Sequence, residues 1–402
     1  MTPDVWVYLF DLASAVTLSS SDLYSAVRVC RIFYSAAIRP LYRHIFWHNP
    51  IHFTASIPRL QEEGIATAPL SLYISCSILP PTRHTFKILH EGGHTDTIIC
   101  ADTRFQHILS NIQPNSRPSH LVTVEVFSQM TTIAKTFARL ETLSLTNHII
   151  SDGFYDLLRC VLHLRVLEVS SCHLEIGSGV LGGNLVVSER LEELMFRNIT
   201  FRHQPSFSVL VTAPNLSSLS FDRTSGVFFP IPELQGACKK LTTLQVFDTV
   251  SWTVEQMSQY DTMMVALAFI NRSPALRNFS TDISLLPPLA LGLSANSPVP
   301  LGTYRGPVST LLKMTSSGVF RGIDALEIVN GQKTLAPLFS FISHSVWGLR
   351  RVAISMKYLD HSLPGALAQL TGLKALSHIL FHVEDPFLVG GPFTTQFPIP
   401  ND

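Results

Sequence analysis

His90-Glu91-Gly92-Gly93-His94 is the string in this 402-residue chain that comes closest to a reactive centre. In the H-E-x-x-H arrangement a helix sets two imidazoles one turn apart on a zinc ion, and the glutamate acts as base toward a zinc-bound water. The surrounding sequence argues against that chemistry. Gly92 and Gly93 would occupy the helix interior, at a cost of about 1 kcal/mol each. No glycine-then-histidine extension follows, and the next glutamate, Glu125, stands beyond Pro114 and Pro118. With 16 histidines in the chain, chance matches come easily. The string reads as a Gly-Gly turn flanked by exposed histidines, so the expectation is no metal site. A zinc metallopeptidase built on His90 and His94 is the third of three functional alternatives.

Gly177-Ser178-Gly179-Val180-Leu181-Gly182 matches the G-x-G-x-x-G fingerprint, in which glycines let a pyrophosphate approach a helix N-terminus. The next strand-like segment begins at Leu191, too soon for the crossover helix of a βαβ unit. A loop between repeats is the expectation, and no cofactor follows from it. No G-x-S-x-G elbow, P-loop or EF-hand string is present, and the adjacent pairs Glu62-Glu63 and Glu192-Glu193 would point to opposite faces of a strand. None of the six cysteines forms a C-x-x-C pair, which leaves neither a zinc ribbon nor a redox motif. The sequence therefore points away from an enzyme, with no catalytic residue to name.

Composition narrows the partners. Lys and Arg number 29 against 29 Asp and Glu, for a net charge of +0, so no global field draws the chain to phosphate backbones or anionic membranes. Charged residues are 14% and apolar residues 46% of the chain. The usual charged share is roughly 25%, so much of this length must be buried and disorder is not expected. No uninterrupted apolar run reaches the roughly 18 residues of a membrane span. The first residues lack the basic stretch of a signal peptide. The expected setting is cytoplasmic or nuclear, with reduced thiols, and with neither nucleic acid nor membrane as partner.

The elements that must do the work are then helices and repeats. Residues 1–47 form a helical unit: Val5, Trp6, Leu9 and Phe10 recur at helical spacing, and a second apolar face runs from Leu23 through Cys30 and Phe33 to Ile38, stopping at Pro40. So small a unit cannot bury both faces alone, so apolar surface is left for a partner. Residues 48–120 are punctuated by prolines and read as a connecting segment containing one strand at Leu70–Ile74.

From 121 to 402 an apolar-x-x-apolar-x-apolar hexamer recurs. Clear copies start at Leu140, Leu164, Leu191, Leu216, Leu241, Ile323 and Leu349, with weaker ones at Leu121, Leu276, Leu301 and Leu376. Eight of the ten intervals between starts are 22 to 27 residues, within the span of about 20 to 29 of leucine-rich repeats. Helix-like stretches follow several copies, at Phe154–Val161, Met257–Ile270 and Leu335–Ile342. The fold expected is α/β: a short helical unit, then a solenoid with parallel strands inside and helices outside, each layer burying its leucines against its neighbours. Side chains alternate along a strand. That places Thr142, Ser144, Glu168, Met195, Arg197, Gln245 and Phe247 on the solvent face, with Ser220 and Asp222, as a polar, nearly uncharged surface suited to an unknown protein substrate.

The amino-terminal unit carries a resemblance. Pro3-Asp4-Val5-Trp6-Val7-Tyr8-Leu9-Phe10, then Asp22-Leu23, then Val29-Cys30-Arg31-Ile32-Phe33 are spaced as in an F-box. The chain resembles the F-box-like proteins with degenerate leucine-rich repeats that are abundant in fungi. The resemblance implies a substrate receptor of a cullin-RING ubiquitin ligase. In it Pro3, Trp6, Leu23, Val29, Cys30 and Phe33 would dock on the Skp-type adaptor and the repeats would hold the substrate. The second alternative is a leucine-rich-repeat interaction scaffold whose helical unit has drifted and no longer binds the ligase.

Overall fold

The computed structural model describes residues 5, 6, 8–10, 20–47, 56–75, 85–89, 95–99, 128–146, 148–151, 153–175, 188–201, 207, 209–229, 238–248, 257–284, 299–329, 338, 340, 349–356, 378–383 and 393–398. The chain divides into two compact units: Met1–Leu191 with Ile199–Pro205, and Glu192–Asn198 with Ser206–Asp402. Both are α/β and both are built on parallel strands. Among the described residues no helix is long and apolar enough to cross a membrane.

The first unit opens with helices. Val5, Trp6 and Tyr8–Phe10 are helical, followed by α1 (Ser20–Ala26) and α2 (Arg31–Tyr42). The apolar face from Leu23 to Ile38 is thus two helices and not one, because the chain turns after Ala26 and Cys30 takes an extended conformation (φ −162°, ψ 170°) before α2. Nor does Pro40 stop the second helix. It lies in the last turn of α2, where it forfeits one backbone bond to the carbonyl four residues back, and the helix ends two residues later. Residues 44–47 were expected to be helical. They form β1 (His44–Trp47), a His-Ile-Phe-Trp strand of alternating burial.

Strand β2 (Ser71–Ser75) pairs in parallel with β1, and β5 (Thr142–Thr146) pairs with β2 and with β7 (Val166–Ser170). Between β2 and β5 the chain inserts a separate antiparallel pair, β3 (Thr85–Leu89) and β4 (Thr95–Ile99). The short strands β6 (Ile149–Ser151), β8 (His173–Glu175) and β10 (Thr200–Phe201) form a three-stranded parallel sheet. In the second unit β9 (Glu193–Arg197), β11 (Ser218–Asp222), β12 (Thr243–Phe247), β13 (Asn278–Thr281), β14 (Val299–Gly306), β15 (Phe320–Ile328), β16 (Arg351–Met356) and β17 (His378–Val383) run parallel. The last strand, β18 (Phe393–Pro398), is antiparallel to β17.

The hexamer sets where strands begin. Leu140, Leu164, Leu191, Leu216, Leu241, Leu276, Leu349 and Leu376 each stand two residues before a strand; Leu301 and Ile323 fall within the longer β14 and β15. Its apolar positions stack in register: Leu143 on Leu167 and Leu145 on Val169 in the first unit, and Leu194, Leu219, Leu244, Phe279, Tyr304, Leu326 and Val352 on successive strands of the second. All of these side chains are buried. Neighbouring strands lie about 4.8 Å apart, so each layer's apolar side chains pack on those of the layer before and after.

A backbone feature repeats with them. Ahead of several strands one carbonyl accepts two consecutive N–H groups from the next: Arg43 from Leu70 and Ser71, Leu70 from Glu141 and Thr142, Glu141 from Arg165 and Val166. In the second unit Glu192, Ser217 and Thr242 do the same, and Arg277 accepts from Gly302 and Thr303 within β14, with distances of 2.8 to 3.0 Å. The ladder therefore reaches back through β2 to β1, ahead of residue 121 where the repeats were read to begin. The weak copy at Leu121 lies outside the described residues.

Helices follow only some strands. The helices expected after Asp152 and from Met257 are α3 (Gly153–Cys160) and α4 (Gln259–Arg272), the latter capped by Ser258, whose Oγ accepts from the Asp261 N–H at 3.0 Å. Another helix, α5 (Val308–Ser316), follows β14. Elsewhere in the second unit single 3-10 turns serve, at Leu210–Thr212 and Gly226–Phe228. Phenylalanines fill the space a longer helix would take: Phe207 stacks on Phe196 at 4.9 Å, and Phe229 lies 5.7 Å from both Phe221 and Phe269. The stretch Leu335–Ile342 lies almost wholly outside the described residues.

Candidate interaction surfaces

Of the six adaptor-docking candidates, Pro3 lies outside the described residues. Leu23 is a correction: it is 4% exposed, facing inward from α1 and out of a partner's reach. Trp6 is half-buried, its ring 4.7 Å from Phe33, which also holds Phe10 at 5.5 Å. Three aromatic rings thus tie the first helical residues to α2. Val29 is 67% exposed and Cys30 is exposed, because the turn between α1 and α2 lifts them away from the core. Beside them the structure exposes Val5, Tyr8, Leu9, Tyr24, Ile32 and Tyr34. Tyr24, Ile32 and Tyr34 were missed because a single continuous helix put them on its polar side.

On the strand face of the first unit, Thr142, Ser144 and Glu168 lie on β5 and β7, with Ser144 and Glu168 direct register partners. The Ser144 hydroxyl donates to Glu168 Oε2 at 3.1 Å. Ser144 was expected to line the surface and is buried, because a small side chain between larger cross-strand neighbours is covered by them. On its other side stands Tyr73, itself opposite Phe46. Those two rings stack at 4.6 Å with an interplanar angle of 6°. Neither was foreseen, since the sequence placed one in a helix and the other in a connecting segment. His44, one residue pair along β1, has its pKa lowered by burial and by Arg43.

The second unit brings Met195, Arg197, Gln245 and Phe247 together on the strand face. Arg197 organises them: Nε and Nη2 donate to Ser220 Oγ at 3.2 and 3.1 Å, Nη2 donates to Gln245 Oε1 at 3.2 Å, and the guanidinium lies 4.0 Å from the Phe247 ring centroid. Ser220 is buried beneath it. Next to this cluster burial raises the Asp282 carboxyl above its usual range, opposed by the Asp248 N–H, which donates to it, and by the charge of Arg197. Asp248 also takes Arg223 Nη1 at 3.0 Å and Gln259 Nε2 at 2.6 Å.

Asp222, expected on the solvent face, is fully buried. Its Oδ1 accepts from the N–H and hydroxyl of Thr224 and of Ser225, and its Oδ2 from the Asn198 N–H. Asn198 has φ +50°, so the carboxylate satisfies a backbone group presented by a left-handed turn.

His90–His94 lie outside the described residues, between β3 and β4, whose ends Leu89 and Thr95 are register partners. Gly177–Gly182 also lie outside them. Among the described residues no group of three or more His, Cys, Asp or Glu side chains could hold a metal ion.

These features define the class of the fold, a leucine-rich-repeat-like array of parallel strands. No family model matches the sequence, and no curated protein matches it. Among solved structures, "Crystal structure of TLR13-ssRNA13 complex" matches at 13% identity and a TM-score of 0.30, over 64% of this chain and 34% of that one. The chain thus spans about a third of that protein's length.

Proposed function

We propose that the chain is a substrate-recognition adaptor, with no catalytic step of its own, in a cullin-RING ubiquitin ligase of the cytoplasm or nucleus. The amino-terminal helices dock on the Skp-type subunit, and the strand faces of the repeats hold a protein substrate. The observation that carries the reading is the cluster of exposed apolar residues at the helical end: Val5, Tyr8, Leu9, Tyr24, Val29, Ile32 and Tyr34. These are seven of the nine large apolar residues exposed among the described residues, and such a concentration marks an interaction site.

The triad of Trp6, Phe10 and Phe33 favours Val29 and Ile32 over Trp6 as contact residues. Titration of the purified Skp-type adaptor onto the full chain tests this. Replacing Val29→Asp and Ile32→Asp together removes two apolar contacts and adds charge, and should weaken binding by about thirtyfold or more while leaving the circular dichroism spectrum unchanged. Equal binding by both proteins removes that surface from the account. No binding by the wild type transfers the reading to the interaction scaffold with a drifted helical unit.

A further inference from the structure

We infer that the strand face of the first unit binds a basic peptide, seating an arginine or lysine side chain between the Tyr73 ring and the Glu168 carboxylate over the floor made by Ser144. The inference deepens the proposed function, resting on its reading of the strand faces as the substrate surface.

Three strands place the parts. Tyr73, Ser144 and Glu168 are consecutive register partners on β2, β5 and β7, so all three project from the same face. Tyr73 and Glu168 stand two strand spacings apart, about 10 Å, with the short, buried serine between them. The Ser144 hydroxyl, donating to Oε2, turns the carboxylate toward the middle of the row. Phe46, stacked flat on Tyr73 and still 57% exposed, extends the aromatic surface to the next strand. Aromatic faces attract cations, and a carboxylate fixed by a hydrogen bond accepts charge-assisted bonds from guanidinium or ammonium.

Charge selects the sign of the guest. Along β1, β2, β5 and β7, the side chains that share this face from His44 to Ser170 include one carboxylate, Glu168, and no lysine or arginine. His44 is the one imidazole on these strands, and burial and the Arg43 charge lower its pKa, disfavouring its charged form. The second unit presents the opposite arrangement, its Phe247 already covered by the chain's own Arg197. That internal pair shows the geometry a guest cation would adopt on the Tyr73 ring.

The probe is a fluorescein-labelled heptapeptide alternating glycine and arginine, titrated against the full chain and followed by anisotropy. A glutamate peptide of equal length and an oligouridylate serve as comparisons. Saturable binding of the arginine peptide alone is expected, weakened at least about fivefold by Tyr73→Ala and by Glu168→Gln and unchanged by Glu327→Gln in the second unit. Glu168→Gln keeps shape and the serine contact, so its effect reads charge and not unfolding. Equal weakening by Glu327→Gln, no binding, or equal binding of the glutamate peptide overturns the inference. Oligouridylate binding lost in Phe46→Ala would assign the rings to bases and overturn it too. Adaptor titration is read with substitutions on the amino-terminal helices and peptide binding with substitutions on β2 and β7, so a failure here leaves docking standing and a failure there leaves this result intact.

Discussion

His148 shows what one buried side chain does to the whole chain's response to pH. The ring is 2% exposed and burial pushes its pKa down to about 4. In the unfolded chain the value is about 6.5, so between the two values the unfolded state binds a proton that the folded state refuses. Its contribution to stability is complete above about pH 6.5 and is lost as pH falls toward 4, by up to about 3 kcal/mol. Urea unfolding at a series of pH values should show that loss, and His148→Gln should flatten the slope in this window whatever it does to stability at pH 7. An identical slope in the variant would remove His148 as its source. The same scale shows what sequence alone leaves illegible. Nothing in the local pattern distinguishes Ser144, covered by longer neighbours, from Thr142, or the inward Leu23 from the exposed Val29. Cross-strand neighbours and helix breaks decide these cases, and both are set by residues distant in sequence.

Strands were legible and their connections much less so. A strand here needs only an alternating apolar pattern stacked on an identical one, which Leu140–Leu145 and Leu241–Val246 carry within six residues. Connections depend on what fills the space behind the strands, and phenylalanines such as Phe207 and Phe229 let a 3-10 turn replace a helix. Strand β1 was obscured because it follows a helix running through Pro40, whereas β2 was legible as the strand at Leu70–Ile74 and only its place in the ladder was hidden by the long insertion before β5. Asp222 belongs to this scale as well, since one carboxylate joins the end of β9, the end of β11 and the turn that follows. Asp222→Ala would strand the N–H groups of Asn198, Thr224 and Ser225 in a buried site. Each such loss costs about 1 to 3 kcal/mol, so the variant should lose at least about 3 kcal/mol in denaturant unfolding. A loss under about 1 kcal/mol would mean that water or a shifted turn replaces the carboxylate.

Among the described residues, exposed large apolar side chains gather on the amino-terminal helices, while the strand faces mix polar side chains with a few aromatic ones. That contrast underlies the proposed division of labour between adaptor docking and substrate recognition. The F-box resemblance suggested the division from a handful of residues. Of these, Val29 and Cys30 are exposed, while Trp6 and Phe33 pack on each other. Amide hydrogen exchange of the full chain, alone and saturated with a Skp-type adaptor, tests the division most directly. The account predicts slowed exchange between residues 20 and 42 and unchanged exchange in β5, β7, β9, β11 and β12. Protection on those strands with none on the helices, or failure of the two proteins to associate, would contradict it.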